Sequence, residues 1–139
     1  MGIFAAGDVA NFPNPFVHEQ VRLEHWSNAQ KQGVAAAKAL LGVREPYAEV
    51  PWFWSDQYDL NMQYVGHDSE WDEVILRGDV AGRKFAAFYL KDGRLRAKMA
   101  VCRPKEIAAS CKLIPAGTRL TAKQLKGEDL DLRKLATGE

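Results

Sequence analysis

Residues 3–10, Ile3-Phe4-Ala5-Ala6-Gly7-Asp8-Val9-Ala10, decide the fold of this chain. A short apolar run that ends in Gly-Asp is typical of a buried parallel strand, whose carboxyl end points into the crevice where open α/β sheets bind their ligands. The sequence therefore predicts a strand at 3–6 that carries Asp8 to a ligand. Because such a strand needs neighbours on both edges and almost no chain precedes it, we expect the last part of a larger fold.

The composition is that of an ordinary globular domain. The chain has 139 residues, of which 47% are hydrophobic and 27% charged, so extensive disorder is excluded. Its net charge of +1 gives no general attraction to nucleic acid or to a membrane surface. The sequence contains no apolar run near the roughly 20 residues that cross a bilayer, and no signal-peptide pattern.

The cysteines and histidines indicate neither a metal centre nor a redox pair. Cys102 and Cys111 lack the Cys-x-x-Cys spacing, so we predict either small buried side chains or residues without a special role, not a disulfide. This cysteine usage suits a reducing compartment and predicts a cytoplasmic protein. His18 and His67 have no partners at metal-ligand spacing. We therefore predict no metal site and no hydrolytic triad.

The first region is predicted to be a loop followed by a helix. The Asn-Phe-Pro-Asn-Pro-Phe segment predicts a loop over 11–23. Ser27 with Gln30 fits a capping box at the start of a helix that ends at Gly42. Small and apolar residues form one face of this helix, which is suited to close packing: Ala29, Gly33, Ala36, Ala37, Leu40 and Leu41.

Beyond Tyr47 the pattern changes from helical to alternating. It predicts an antiparallel meander with strands at 61–65, 73–77, 84–90 and 94–101. Asp92-Gly93 is a hairpin signal between the last two strands, and we interpret Gly78-Asp79 as a turn. Alternation along the last strand places Lys98 on its solvated face.

Two or three helices are predicted after the strands. One begins at Pro104 and ends by Pro115 and Gly117, a short one covers 121–125, and a loosely docked tail at 129–135 frays at Gly138. The predicted fold class is therefore α+β. The end of an α/β domain (strand, loop and helix) precedes a small antiparallel-sheet domain with flanking helices.

Two aromatic segments are the candidate binding elements. Trp52-Phe53-Trp54-Ser55-Asp56-Gln57-Tyr58 places large rings beside polar groups, which indicates either a pocket or interface, or a core plug at a domain junction. Glu24-His25-Trp26 stands just before a helix N-terminus, which attracts negative charge. His25 and Trp26 either face a ligand there or have a structural role.

Three segments together resemble the FAD-dependent ferredoxin reductases of the rubredoxin, putidaredoxin and biphenyl-dioxygenase type, which are related to apoptosis-inducing factor. The segments are the Gly7-Asp8 stretch, Arg22-Leu23-Glu24-His25-Trp26-Ser27-Asn28-Ala29 with Gln32-Gly33, and the run from Pro51 to Tyr58. Gly-Asp alone is a weak signal, but three segments in order and spacing are specific. The resemblance covers nearly the whole chain.

The resemblance implies a flavin site. Asp8 would bind the ribityl part of FAD, with Gly7 allowing a close approach and Val9 near the flavin. The helix after the Glu-His-Trp segment would point its N-terminus at the pyrimidine edge of the flavin. The implied FAD-binding residues are Gly7, Asp8, Val9, Glu24, His25, Trp26, Ala29 and Trp54, with Trp54 beside the isoalloxazine on the side of the iron–sulfur partner. No catalytic residue and no metal ligand is implied.

The resemblance also implies the domains and the function. Residues 1–46 would be the C-terminal remnant of the FAD-binding domain, and 47–139 the reductase C-terminal domain. The whole enzyme would pass electrons from NAD(P)H through FAD to a ferredoxin-type iron–sulfur protein. The chain has no Gly-x-Gly-x-x-Gly fingerprint, so we expect no catalysis by it alone. The alternative is a non-enzymatic module that docks on a ferredoxin or a reductase through 52–58, and the strand at 3–6 allows homo-oligomers.

Overall fold

A computed structural model describes residues 2–67, 70–127 and 130–137. The chain divides into two compact units, Met1–Phe53 and Trp54–Glu139. Of the helices in the described ranges, none has the length and hydropathy that crossing a bilayer requires.

The first unit begins with a hairpin where the sequence predicted a loop. Strands β1 (Asn11–Asn14) and β2 (Glu19–Arg22) pair antiparallel. The prediction of a loop over 11–23 is therefore wrong. Pro13 lies within β1 because both strands of a two-stranded hairpin are edge strands, where a missing N–H is tolerated.

Residues 3–6 do not form the predicted buried parallel strand. They have no strand assignment, the Ile3 side chain is fully exposed, and Phe4 is about half exposed. A strand is held by hydrogen bonds to its neighbours, and the described part of the chain provides no neighbour for this segment. The apolar pattern alone therefore misassigned it.

Helix α1 (Trp26–Leu40) confirms the predicted helix but not its cap. The N-cap is His25, whose Nδ1 accepts a hydrogen bond from the Ser27 amide at 3.3 Å. Ser27 lies inside the first turn, and its hydroxyl donates to the Trp52 carbonyl at 3.1 Å. The capping box of Ser27 with Gln30 is therefore wrong, because a side-chain acceptor two residues earlier caps the helix.

The buried face of α1 is polar. Its buried residues are Ser27, Asn28 and Gln32. The predicted packing face is largely exposed in this structure, most clearly at Leu40 and Leu41. Polar burial here follows from specific hydrogen bonds, which helical periodicity of apolar residues does not reveal.

The second unit is built on a five-stranded sheet with strand order β3-β4-β7-β6-β5. The strands are β3 (Trp52–Gln57), which begins in the first unit, β4 (Leu60–Gly66), β5 (Glu73–Asp79), β6 (Lys84–Lys91) and β7 (Arg94–Val101). The four predicted strands are confirmed, and the aromatic run at 52–58 supplies a fifth. The meander holds for β5, β6 and β7, but β4 pairs with β7.

Two turns follow from local sequence. Asp92 and Gly93 both have positive φ, as the predicted hairpin between β6 and β7 requires. Gly78 and Asp79 instead end β5, so the turn they were predicted to form lies just beyond them.

The second unit contains a 3₁₀ turn, η1 (Pro104–Glu106), and the helices α2 (Ile107–Leu113), α3 (Ala122–Lys126) and α4 (Leu132–Thr137). Helices α2 and α3 confirm the two predicted helices, whereas α4 lies where a loosely docked tail was predicted. Thr121 caps α3 in a capping box with Gln124. The predicted start of the tail at Asp129 and its fraying at Gly138 lie outside the described residues.

Lys98 is fully buried, which contradicts its predicted place on a solvated face. The reason is that β7 lies inside the sheet between β4 and β6 and is covered by η1. The Lys98 Nζ donates to the Glu106 carboxylate at 2.8 Å and lies 4.5 Å from the centre of the Phe88 ring. Burial lowers the pKa of Lys98 to about 8, and the Glu106 hydrogen bond opposes that shift.

Candidate functional site

The Gly7-Asp8 segment forms a tight turn held by a buried contact. The Ala10 amide donates to the Gly7 carbonyl at 2.9 Å, and the Gly7 amide donates to Oε1 of Gln32 at 2.8 Å. Gly7 has φ of +80°, a conformation that favours glycine. The backbone is therefore fixed, while the side chains of Asp8 and Val9 are exposed.

This turn packs on the beginning of α1. A Cβ atom added to Gly7 would lie 3.5 Å from the Cβ of Ala29. Gln32, one turn further along α1, supplies the hydrogen bond to the Gly7 amide. The structure therefore brings together the predicted residues Gly7 and Ala29.

The N-terminus of α1 has the electrostatic character of an anion-binding element. Its first turn contains no acidic residue, so no helix carboxylate neutralises the positive end of the helix dipole. Trp26, the first residue of the helix, has an exposed side chain. Glu24 precedes the cap and is also exposed.

His25 has a defined structural role at this position. Besides capping α1, its ring lies 5.5 Å from the Phe53 ring, centre to centre. Its Nδ1 must be unprotonated to accept from the Ser27 amide. Of the two predicted roles of His25, the structure shows the structural one. Contact of His25 with a ligand remains a prediction.

A second layer of hydrogen bonds holds the start of α1 in place. The Asn28 amide group donates to the Leu23 carbonyl at 3.0 Å, and its Oδ1 accepts from the Tyr47 hydroxyl at 3.1 Å. Burial, with a smaller contribution from Glu49, raises the pKa of Tyr47 to about 12. Tyr47 therefore donates as a neutral phenol over the physiological pH range.

Sequence reasoning missed the supporting roles of Gln32, Asn28 and Tyr47. One signal was available, because Asn28 and Gln32 are four residues apart and share a helix face. Two polar residues on the buried face of a helix indicate specific hydrogen-bond partners.

Trp54 belongs to the second unit. It lies on β3 and is half-buried. The following turn places Tyr58 at φ of 55° with a fully exposed ring. Within the described residues no group of His, Cys, Asp or Glu is placed to hold a metal ion, and Cys102 and Cys111 form no disulfide.

The family comparison identifies the class of protein. The model of the reductase C-terminal family matches residues 52–136. The chain belongs to this family, which confirms the resemblance seen in the sequence.

Two curated relatives show the extent of the similarity. The ferredoxin–NAD(+) reductase component of the anthranilate 1,2-dioxygenase system of Burkholderia cepacia is 42% identical over 132 residues, which cover 94% of this chain and 32% of the relative. The ferredoxin reductase subunit of the 5,5'-dehydrodivanillate O-demethylase of a Sphingobium species is 38% identical, covering 99% and 34%. The chain therefore spans about a third of the length of these relatives.

Solved structures show the same fold. The ferredoxin reductase for the CYP199A2 system of Rhodopseudomonas palustris is 37% identical with a TM-score of 0.86, over 94% of this chain and 32% of that one. The putidaredoxin reductase–putidaredoxin covalent complex gives 32% identity and a TM-score of 0.86, over 96% and 32%. These matches confirm the predicted α+β class.

Proposed function

We propose that this chain is the C-terminal part of a flavoprotein oxidoreductase that passes electrons from NAD(P)H through FAD to a ferredoxin-type iron–sulfur protein. The observation that carries the proposal is the Gly7 turn, locked onto α1 by Gln32 with the Asp8 carboxylate exposed. FAD supplies the chemistry of taking up a hydride and releasing single electrons. The residues of this chain bind and orient it.

Asp8 accepts hydrogen bonds from hydroxyl groups of the ribityl chain, for which an exposed carboxylate on a fixed turn is suited. Gly7 would allow the close approach by letting the turn form against α1, because its φ of +80° favours glycine and a Cβ there would face Ala29 at 3.5 Å. Val9 offers an apolar contact beside the ring system.

The start of α1 would stabilise negative charge on the pyrimidine edge of FAD. The dipole of a 15-residue helix without an acidic residue in its first turn supports this role. Ala29 keeps the first turn narrow, and the exposed Trp26 ring would contact the cofactor. His25, which caps the helix, and Glu24 just before it would lie on the same side of the site.

The resemblance would also place Trp54, on β3, beside the isoalloxazine on the side of the iron–sulfur partner. In domain terms, residues 1–46 complete the FAD-binding domain, and 47–139 form the C-terminal domain. We place the NAD(P)H site and the FAD pyrophosphate site in polypeptide outside this chain, which spans about a third of the length of its relatives. We place the whole enzyme in the cytoplasm.

A chimera tests the proposal. The first two thirds of the Burkholderia cepacia relative are fused to this chain, and flavin absorbance and NADH-dependent reduction of ferredoxin are measured. We expect bound flavin and electron transfer. Asp8→Asn should weaken FAD binding by about tenfold, the size of one charge-assisted hydrogen bond, whereas the exposed Glu45→Gln should leave it unchanged. A chimera that folds without flavin contradicts the proposal.

The second candidate function is a non-enzymatic docking module for a ferredoxin or a reductase. The fully exposed Tyr58 ring at the tip of the β3–β4 turn favours it, since tyrosine is enriched at interfaces. Purified alone, the chain would then bind ferredoxin, and Tyr58→Ala would weaken that binding. If the chimera bound ferredoxin and the isolated chain did not, the result would favour the proposed reductase function.

A further inference from the structure

We infer that His25 and Ser27 form a proton-dependent hydrogen-bond switch that joins the N-terminus of α1 to Trp52, the first residue of β3. In one state the His25 ring caps the helix, and in the other it begins a chain of hydrogen bonds that ends on the Trp52 carbonyl. The three residues all belong to the first unit. The inference therefore goes beyond the proposed function and needs no bound cofactor.

The side chain of Ser27 lies between two acceptors. The Ser27 Oγ is 3.0 Å from Nδ1 of His25 and 3.1 Å from the Trp52 carbonyl oxygen. The same Nδ1 atom is 3.3 Å from the Ser27 amide nitrogen. Ser27 is buried, so its hydroxyl depends on these protein partners. A hydroxyl group has one hydrogen to donate, so the proton on Nδ1 determines which bonds can form together.

Without a proton on Nδ1, the ring acts as the helix cap. Nδ1 accepts from the Ser27 amide, and the Ser27 hydroxyl donates to the Trp52 carbonyl. Because Nδ1 is a second acceptor within reach of the hydroxyl, it competes with Trp52 for the same hydrogen. The bond from α1 to β3 is weakened by this competition.

With a proton on Nδ1, the ring can only donate. It donates to the Ser27 Oγ, and the Trp52 carbonyl becomes the one acceptor left for the hydroxyl within this group of contacts. The Ser27 amide loses its acceptor, and with it α1 loses its side-chain cap. The ring needs little movement for this exchange, because Nδ1 is already closer to Oγ than to the amide nitrogen.

His25 is the residue of this group that can take up the proton. Trp52 and Phe53, whose ring centre is 5.5 Å from that of His25, carry no charge, and the first turn of α1 has no acidic residue. The charged residues that precede His25 are Arg22 and Glu24, both exposed. Histidine is the side-chain type whose charge ordinarily changes close to neutral pH.

The switch also has a consequence for the flavin, and this part rests on the proposed function. Protonation frees the Ser27 amide and adds a positive charge at the N-terminus of α1, the end assigned above to FAD. Negative charge at that end therefore favours the protonated state, and by linkage proton uptake favours the binding of negative charge.

Nuclear magnetic resonance of the full chain tests the switch. The ring nitrogens of His25, the Ser27 amide and the Trp52 carbonyl carbon are followed as the pH is changed. At alkaline pH we expect the ring proton on Nε2. On acidification, the Ser27 amide and the Trp52 carbonyl signals should shift together with the ring.

Three variants separate the steps. In Ser27→Ala the amide at position 27 should still shift with pH, whereas the Trp52 carbonyl should not. In His25→Asn neither signal should follow the pH, because asparagine caps a helix but does not take up a proton. His18→Asn is the control and should change neither response, since His18 is exposed on the hairpin turn and asparagine tolerates its positive φ.

A Trp52 carbonyl signal that stays constant while the His25 ring is protonated would overturn the inference. A Trp52 shift that persists in Ser27→Ala would also overturn it, and this variant decides the matter even if His25→Asn does not fold. In the chimera we expect FAD to bind more tightly as His25 is protonated, and this pH dependence to be absent in His25→Asn. Coupled shifts in the chain without that difference in the chimera would support the switch and contradict the place given to FAD.

Discussion

The two units of this chain bury different kinds of side chain. In the first unit the buried side chains include four polar ones, Asn14, Ser27, Asn28 and Gln32, and the buried apolar ones are small, such as Ala10, Val17 and Val21. The second unit buries large apolar side chains, among them Phe88, Ile75, Leu90, Leu95, Leu113 and Leu125. Area buried from water is the main stabilising contribution to folding. The second unit therefore buries enough apolar surface to fold by itself, whereas the first unit is held mainly by hydrogen bonds.

The largest effect should come from separating the two regions. We expect a chain without residues 1–46 to unfold cooperatively, because β3 and the apolar core of the second unit are retained. A peptide of residues 1–53 should show no cooperative transition. Circular dichroism during thermal unfolding measures both. Loss of the transition in the shortened chain would contradict the domain boundary at Tyr47.

The next effect concerns the ion pair of the buried Lys98 with Glu106, a carboxylate that also pairs with Arg103 at 2.6 Å. Glu106→Gln leaves the Lys98 ammonium buried without its counter-charge, so we expect the free energy of unfolding to fall by roughly 3–5 kcal/mol. Lys98→Met should be neutral or stabilising, because it removes the desolvation cost. Urea unfolding of both variants, with the exposed Glu73→Gln as control, measures the difference. If Glu106→Gln and Lys98→Met lowered the free energy of unfolding equally, the cost would not come from a buried ammonium without its counter-charge.

The same pair should make stability depend on pH. Lys98 has a folded pKa of about 8 against 10.5 for the ordinary side chain, so between these values the unfolded chain holds a proton that the folded chain has released. Stability therefore rises with pH across this window, by about 3 kcal/mol for a shift of this size. Subtracting the profile of Lys98→Met isolates the contribution. If the difference between the two stability profiles did not change with pH, burial would not disfavour the Lys98 ammonium.

A smaller effect should follow in the region held by polar bonds. Gln32→Leu leaves the buried Gly7 amide without its acceptor, so we expect a loss of roughly 1–3 kcal/mol in the unfolding free energy of the chimera. Its FAD affinity should fall as well, since the Asp8 turn loses its anchor. Gln30→Leu, on the exposed side of the same helix, is the matched control. If Gln32→Leu left the FAD affinity unchanged, the Gly7 turn would have no part in binding the flavin.

The contrast also explains what the sequence predicts. Strands β4 to β7 were predictable because apolar residues alternate and Asp92-Gly93 specifies its own turn. Helix α1 was predictable from its periodicity and its end at Gly42, and the flavin role of the Gly7-Asp8 segment came from the resemblance, whereas the Gln32 contact depends on residues 25 positions apart. The strand at 3–6 was misassigned because an apolar run does not specify its neighbours. Lys98 was misassigned because alternation does not reveal which strand lies inside the sheet.

The strand order has a consequence for how the chain folds. Strands β5, β6 and β7 are consecutive, so they close short loops, whereas pairing Met62 with Val101 closes a loop that contains both intervening strands. The entropic cost of closure grows with loop length, and distant pairings slow folding. We therefore expect β4, and β3 beyond it, to join a hairpin sheet that has already formed. The segment that connects the two units would then be the last part of the sheet to acquire its structure.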